Sequence, residues 1–582
     1  MFDGSFRTKK AINLSGNRQN VDKQKLLRKA QEERRIREAE SSRQKAAERI
    51  QAWYRGRSVA NKVRQDVRSG WDQDTQALRQ YVLAETQSSL LPASIDKIAL
   101  GAESAIKKLL FFFRPLYDHQ RLVQLCSLLI LVSVHNARGR LFTIPYYRSP
   151  DHQAEWNMVL DGLIPVIIKH LGEHSSWDEG DSVQVFTFLD ALTLAESFQS
   201  VLGTAPEVYH LAIGFAQKLF KAEVFSHCAR FLVRIPLDEK SRPSIAKALL
   251  LSIRICKSME YYQEYPQGLD QFITHIMTIP LLPNRISIET LTTFTSRLPF
   301  DTILQHLSTT SCSVVASLPQ FKITPLVANI LAFGYQRVGK MSPPVSSAYL
   351  RVLTILLGMI PQELAPRADA DDDEDMDDIE WRSEELLGSS QKSPDLSTST
   401  SKLDPRIMKW LSLAYNSNHL NDILGTVEPS AVTTTFGSEQ EVLSAEAIGE
   451  ITNLLLNLIT LFPSHKTNIL SNLIYFKFGG KSKQTSNSGG GKFFGISIIK
   501  IFLDAFMSTA LYKQLLQSML QDTPRSIQAL LDSAHEKAWS LLAFVCELYC
   551  QILMTMGDDE FHDDTRNPIN LQSVVMLSSV VR

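Results

Sequence analysis

From about residue 72 to 365 the chain consists of apolar segments, each roughly 12–20 residues long, that follow a helical period and are separated by short polar or Pro/Gly breaks. This pattern constrains the fold more than any other, because an apolar stripe recurring every three to four residues buries only as one face of a helix. Residues 183–202 are typical. Val185, Phe188, Leu189 and Leu192 follow the i, i+3, i+4, i+7 rule, and Gly203 stands where a helix-terminating glycine belongs. Residues 524–552 are the clearest, with Ala534, Ala538, Leu541, Leu542, Val545, Leu548, Tyr549 and Ile552 continuing a stripe begun by Ile527, Leu530 and Leu531. Thr523-Pro524 supplies the start signal. Sustained period-2 alternation is nearly absent, so strands should be rare and the fold class is all-α. No fixed sequence period recurs, and helix pairs stacked over several hundred residues predict an irregular helical-repeat, α-solenoid-like body rather than one bundle.

The amino end is written differently. Residues 20–69 hold no Pro and a single Gly, Gly56, and are rich in Ala, Arg, Glu, Gln and Lys, which predicts one long helix. Its first half offers only Leu26, Leu27 and Ile36 as apolar side chains, too few to pack into a core, so it is expected to project into solvent. Glu33 with Arg37 gives modest i,i+4 support. The whole chain has a formal net charge of -1, but residues 1–70 carry 19 Lys/Arg against 8 Asp/Glu, so a basic arm precedes a mildly acidic body.

Two interruptions divide that body. Residues 367–404 hold 11 acidic residues against one basic residue between Asp369 and Glu385, then a Ser/Thr run, which is the composition of a disordered linker. Trp381 within it is a candidate apolar anchor, set against the simpler reading of a solvated loop. Residues 477–495 are Gly/Ser/Lys-rich and read as a second flexible break. The expected organisation is therefore a basic arm over 1–70, a first helical part over 71–366, the acidic linker over 367–404 and a second helical part over 405–582.

Composition excludes other classes. The most apolar windows are broken by Arg114, Asn457 or Lys500, which argues against a membrane span. The opening MFDGSFRTKK has neither an apolar core nor a small-residue cleavage pattern, so the expected location is cytoplasmic and/or nuclear. The six cysteines at 126, 228, 256, 312, 546 and 550 include no C-x-x-C pair, which predicts reduced and mostly buried thiols, with Cys546 and Cys550 sharing one helix face.

Motifs for chemistry are few. Gly480-Lys481-Ser482 imitates the end of a phosphate-binding loop, but the first glycine of that pattern falls at Tyr475, so no nucleotide site is expected. His170-Leu171-Gly172-Glu173-His174 matches the spacing of an inverted zinc-protease motif. Gly172 and the following Ser175, Ser176 and Asp178 instead mark a helix end, where His and Lys169 suit the negative pole of the dipole. His227 beside Cys228 lacks a third partner. No catalytic, metal or cofactor site is expected in this chain. Arg and Glu alternate through residues 32–49, which dilutes any positive stripe and disfavours nucleic acid.

The strongest local signal runs from Ile50 to Val63 and resembles the IQ motif, by which a helix docks into a lobe of calmodulin or a related light chain. An aliphatic-Gln pair, Ile50-Gln51, is followed by Arg55-Gly56; Ala60 stands where the motif has a second basic residue, with Arg57 and Lys62 nearby. In a helix-in-groove complex Ile50, Tyr54 and Val63 would be apolar anchors, Gln51 would hydrogen-bond a partner backbone and Arg55 would meet acidic lobes. Equally, the segment (about residues 46–66) reads as an amphipathic helix end packed against its own helical body.

Arg7-Thr8-Lys9-Lys10, the run Gln31-Glu32-Glu33-Arg34-Arg35 and the IQ-like segment together resemble the amino terminus of the proteasome-associated, IQ-motif-containing HECT-type ubiquitin-protein ligases. Leu541-Leu542-Ala543-Phe544-Val545-Cys546, followed by Met556-Gly557-Asp558-Asp559-Glu560-Phe561, resembles the helix and acidic turn that precede the catalytic half of those proteins. The resemblance implies ubiquitin taken from a conjugating enzyme onto a cysteine and passed to a substrate lysine, extending chains on proteasome-bound substrates. It also implies that the acceptor cysteine lies in a carboxy-terminal HECT domain, in a Thr-Cys-x-Asn-like setting that none of the six cysteines here has. No catalytic residue is carried over. Val580-Val581-Arg582 looks like the beginning of a further segment, so the chain is expected to be part of a longer ligase. The alternative is a free-standing helical-repeat adaptor that binds a calmodulin-like protein and has no enzymatic activity.

Overall fold

A computed structural model describes residues 18–85, 92–134, 150–198, 206–309, 313–361, 404–425, 430–433, 439–442, 444–478, 496–521 and 533–555, with Gly557, Val575 and Ser578 beyond them. The described residues are overwhelmingly helical, as the apolar period predicts. Two antiparallel ribbons are the described exceptions: Ser430–Thr433 (β1) with Glu439–Val442 (β2), in which Ser430 faces Val442, and Lys477–Phe478 (β3) with Ile496–Ser497 (β4). Chain contacts divide the protein into two units, Met1–Arg121 and Leu122–Arg582.

The first unit is built on α1, one helix of 68 residues from Arg18 to Glu85. The expected boundary at 70/71 falls inside it. Gly70 costs about 1 kcal/mol in a helix interior, but Trp71 next to it is fully buried and holds the backbone in place. The indole donates to the Ala105 carbonyl at 2.8 Å and meets Phe112 edge-on, both on α2 (Pro92–Phe112). α2 comes close enough that a Cβ on Gly101 would lie 3.1 Å from Leu78. α3, His119–Val134, begins at the end of this unit.

In the second unit α4 (Pro150–Glu173) ends in the His170–His174 segment and α5 (Glu179–Thr193) follows it. Asp178 caps α5, accepting from the Gly180 amide at 3.0 Å. The sequence places this helix at 183–202, whereas it starts four residues earlier and turns extended at Leu194. The reason is tertiary: Arg254 of α7 (Pro243–Ser258) donates to Asp190 at 3.0 Å and to the Thr193 hydroxyl at 2.9 Å, tying down the last turn. Burial raises the Asp190 carboxyl above its ordinary value despite Arg254 and Lys247. At its other end α7 is capped by α5, because the Glu179 carboxylate accepts from the Ser244 amide and hydroxyl at 2.8 Å each. Between these helices α6, Val224–Arg234, packs against α4.

Further along, Asn329 on α8 (Gln320–Gly334) is fully buried and donates to the Met277 and Ile279 carbonyls at 2.8 Å, closing a π-helical turn over Ile273–Met277. Gly334 lets Tyr349 of α9 (Pro343–Gly358) lie against the α8 backbone, for an added Cβ would sit 2.7 Å from the ring. The Tyr349 hydroxyl lies 3.1 Å from His419 Nε2, while His419 Nδ1 lies 2.8 Å from the Leu413 carbonyl. A carbonyl only accepts, so Nδ1 carries the hydrogen and Nε2 accepts from the tyrosine.

α10 (Ala445–Leu461) is capped by Ser444 and bound to α9 through Arg351, which reaches Glu446 and Glu450 at 2.6 Å each. α11 (Ile498–Ser508) and the 466–475 helix pack on α12, Glu536–Thr555. By length and composition α12 could cross a membrane. Its apolar face is instead spent within the unit, where Leu541, Leu542, Phe544, Val545, Leu548 and Ile552 are buried, and Glu547 pairs with Lys466 at 2.6 Å. The helix expected over 524–552 is thus described from Glu536 onward; residues 522–532 lie outside the described residues, as do 367–403 of the acidic linker with Trp381, 479–495 of the Gly/Ser-rich break with Gly480-Lys481-Ser482, and Cys312. The expectation of mostly buried thiols needs correction at one helix. Cys126, Cys228 and Cys256 are buried, but Cys546 and Cys550 are exposed, because the face of α12 that carries them lies opposite Leu541, Val545 and Leu548.

Candidate interaction site on the amino-terminal unit

The IQ-like segment lies wholly within α1. Its side chains are exposed from Ile50 to Val59: Ile50 by 66%, Trp53 by 60% and Tyr54 by 69%. Gln51, Arg55 and Gly56 are exposed as well, and Val63 is exposed by 44%. The Arg57 guanidinium stacks over the Trp53 ring at 5.0 Å, a cation–π contact made along the helix surface. A Cβ added at Gly56 would meet nothing within 4 Å. Nothing described in this chain therefore requires glycine there. The amphipathic alternative holds only from Ala60 onward, where Ala60, Arg64 and Val67 become partly covered.

That change of environment has a clear structural cause. Asp118, with no exposed surface, receives Arg68 through Nε at 2.7 Å and Nη2 at 2.8 Å, Arg121 at 3.0 Å and the Arg114 amide at 2.8 Å. Arg121 extends the cluster to Asp72 on α1 with two bonds of 2.8 Å, and the Asp72 bond is the chief reason its guanidinium is held above its ordinary value. Two arginines and an amide on one carboxylate satisfy its acceptor sites, and this makes the burial tolerable. Arg68 also lies over Phe112, and Arg114 donates to Asn61 at 2.9 Å. The clamp escaped the sequence reading because Asp118 lies 50 residues from Arg68; the one local signal was the apolar spacing Val67, Trp71, Leu78, Val82, which continues the helix past Gly70.

The His170–His174 segment stands among packed rings. His170 is buried on the last turn of α4, with ring centroids 4.9 Å from His174 and 5.4 Å from Trp177. Trp177 donates back to the Leu171 carbonyl at 3.2 Å, and Arg234 bonds the His174 carbonyl at 2.8 Å. Gly172 is required here: a Cβ would fall 2.2 Å from His227 Nδ1. Burial, then Arg230, hold the His227 imidazole below its ordinary value. The segment is a helix end built into an aromatic cluster. Burial pushes the thiols of Cys228 and Cys256 up to about 12 and that of Cys126 up as well; Cys546, though exposed, is also raised, by partial desolvation and by Cys550 and Glu547. An acyl-accepting thiolate needs the opposite surroundings.

No family model matches the sequence. A protein of Schizosaccharomyces pombe described as a probable E3 ubiquitin protein ligase is 21% identical over 588 aligned positions, covering 98% of this chain and 50% of that protein. The chain is thus distantly similar to a probable E3 ubiquitin protein ligase. It spans about half the length of that relative. A solved structure, the SYS-1/POP-1 crystal complex, aligns over 89% of this chain and 91% of that chain at 10% identity, but its TM-score of 0.21 is too low to speak to the fold.

Proposed function

We propose that this chain is the amino-terminal scaffold and interaction region of a HECT-type ubiquitin-protein ligase of the proteasome-associated, IQ-motif-containing kind, working in the cytoplasm and/or nucleus. The observation that carries this reading is the alignment of nearly the whole chain to half of an E3 ligase. Four of the described cysteines agree with it: Cys126, Cys228 and Cys256 are buried, and the Cys546 thiol is raised rather than lowered. In this reading the helical body and basic arm bring proteasome subunits and substrate to a catalytic cysteine that lies outside these 582 residues. The test is thioester formation by the purified chain with ubiquitin-charged conjugating enzyme on a non-reducing gel, together with capture of purified proteasome. The expected result is proteasome capture without a thiol-sensitive ubiquitin adduct. An adduct would overturn the scaffold assignment, and Cys-to-Ser changes would then identify the acceptor.

A second reading, favoured by the exposure of Ile50, Trp53 and Tyr54, is an adaptor that binds a calmodulin-like light chain through residues 50–63. As a free-standing adaptor it would have no enzymatic activity. Ile50→Asp is expected to abolish binding of calmodulin to the full chain in calorimetry while leaving helicity unchanged; unaltered binding would sink the anchor assignment.

A further inference from the structure

Between α2 and α3 the chain passes through a turn, Arg114–Asp118. The amides of Tyr117 and Asp118 both donate to the Arg114 carbonyl, at 3.0 and 2.9 Å, and the Asp118 carboxylate takes the Arg114 amide in return. With Arg68 and Arg121 on the same carboxylate, the turn is fixed from both sides. What so rigid a turn displays is apolar: Leu116 is 87% exposed and Tyr117 is 70% exposed. A single exposed leucine needs no explanation. An adjacent leucine and tyrosine at the tip of a turn held by a fully buried carboxylate form a preorganised knuckle.

Its position relates it to the IQ-like segment. Arg114 bonds Asn61, so the turn lies beside α1 at that residue. With successive residues about 100° apart on a helix, Trp53, Tyr54, Arg57, Asn61, Arg64 and Arg68 share a face roughly 100° wide. The knuckle therefore stands at the foot of the face that displays Trp53 and Tyr54, and the eight residues from Asn61 to Trp53 span about 12 Å of helix. A protein domain that grips Trp53 and Tyr54 is wide enough to meet the turn.

We propose that Leu116 and Tyr117 form, with the Trp53–Tyr54 face of α1, one composite docking surface for an acidic protein that holds a helix in an apolar groove. This rests on the light-chain reading of residues 50–63 and extends it to a second, non-contiguous contact. Charge selects the occupant, since residues 1–70 carry 19 basic against 8 acidic residues and Arg55, Arg57 and Lys62 are exposed around the apolar positions. Rigidity of the backbone makes the knuckle effective, because a turn already held by hydrogen bonds loses little backbone freedom on binding, and exposed aromatics of this kind are the usual anchors of interfaces.

The probe is calmodulin, titrated calorimetrically into the full 582-residue chain, with calcium and with chelator. The double variant Leu116→Ser/Tyr117→Ser is expected to weaken binding about tenfold without changing the circular dichroism, since both side chains are exposed. With p-benzoylphenylalanine at position 117, irradiation is expected to cross-link calmodulin. Affinity within twofold of the parent for the double variant overturns the composite surface; if Ile50→Asp still abolishes binding, the helix reading survives alone. No binding of calmodulin to the parent chain in either condition overturns both.

Discussion

The two halves of α1 share a backbone conformation and differ in almost everything else. From Lys25 to Val59 the helix is exposed on every side, whereas from Ala60 to Glu85 one face is covered, Trp71 and Val82 are buried, and Arg68 and Asp72 join the Asp118 cluster. The comparison separates two ways of making a helix. The outer half relies on the propensity of Ala, Arg, Glu, Gln and Lys and on local pairs such as Glu33–Arg37 at 3.5 Å, which contribute only tenths of a kcal/mol each. The inner half tolerates Gly70 and needs no such composition, because burial of one large aromatic and a satisfied carboxylate outweighs local preference.

The sharpest way to break the comparison is Trp71→Ala, which should cost about 3–5 kcal/mol, as removal of a buried indole does. The loss is expected in denaturant unfolding of the first unit, with far-UV helicity of residues 25–59 retained. Asp118→Ala comes next, at about 3 kcal/mol, since Arg68 and Arg121 lose their shared carboxylate in a part-buried site. Hydrogen exchange should then speed up over residues 60–85 and leave the outer half as it was.

Acidification acts on the second unit instead. Burial lowers His419 to about 4 in the folded chain, against the bond that its Nδ1–H donates to the Leu413 carbonyl, whereas an unfolded histidine ionises near 6.5. Between those values the unfolded chain takes up a proton that the folded chain refuses. Stability is therefore full above about pH 6.5 and falls as pH drops towards 4, by an amount on the order of 2–3 kcal/mol. His275, also lowered to about 4 chiefly by burial, adds in the same direction. Residues 1–118 contain no histidine, so this acid-linked loss should be absent from exchange rates in α1. The smallest effect is Gly56→Ala, which should stabilise the outer helix by about 0.5–1 kcal/mol because no neighbour meets the new methyl group. Its readout is slower exchange near residue 56, and a destabilised helix would show that the glycine is needed by this chain after all.

Features that rest on spacing within one helix were legible in the sequence. The all-α class, the exposed outer half of α1, the Glu33–Arg37 pair and the helix end at His170–His174 all follow from residues at most four positions apart. Features that depend on distant partners were not. The termination of α5 at Thr193 depends on Arg254, and the clamp on α1 depends on Asp118. The boundary at 70/71 followed from composition, because the change from a basic arm to apolar segments is visible in sequence, while the packing of Trp71 that carries the helix across it is not.

The Asp118 cluster has a consequence for how the protein is degraded. In the outer half of α1 the side-chain bonds Arg37–Glu33 and Gln44–Glu48 stay within the helix, so its turns can fray one by one, whereas the turns beyond Asn61 open only with the fold around them. A trypsin-like protease meeting the native molecule therefore finds a Lys/Arg-rich segment that opens readily and a barrier where Arg114 and Asp118 grip the helix. Nicking in that outer segment would remove Ile50 and Tyr54 while sparing Trp71, shortening the helix without unfolding the part that Asp118 holds.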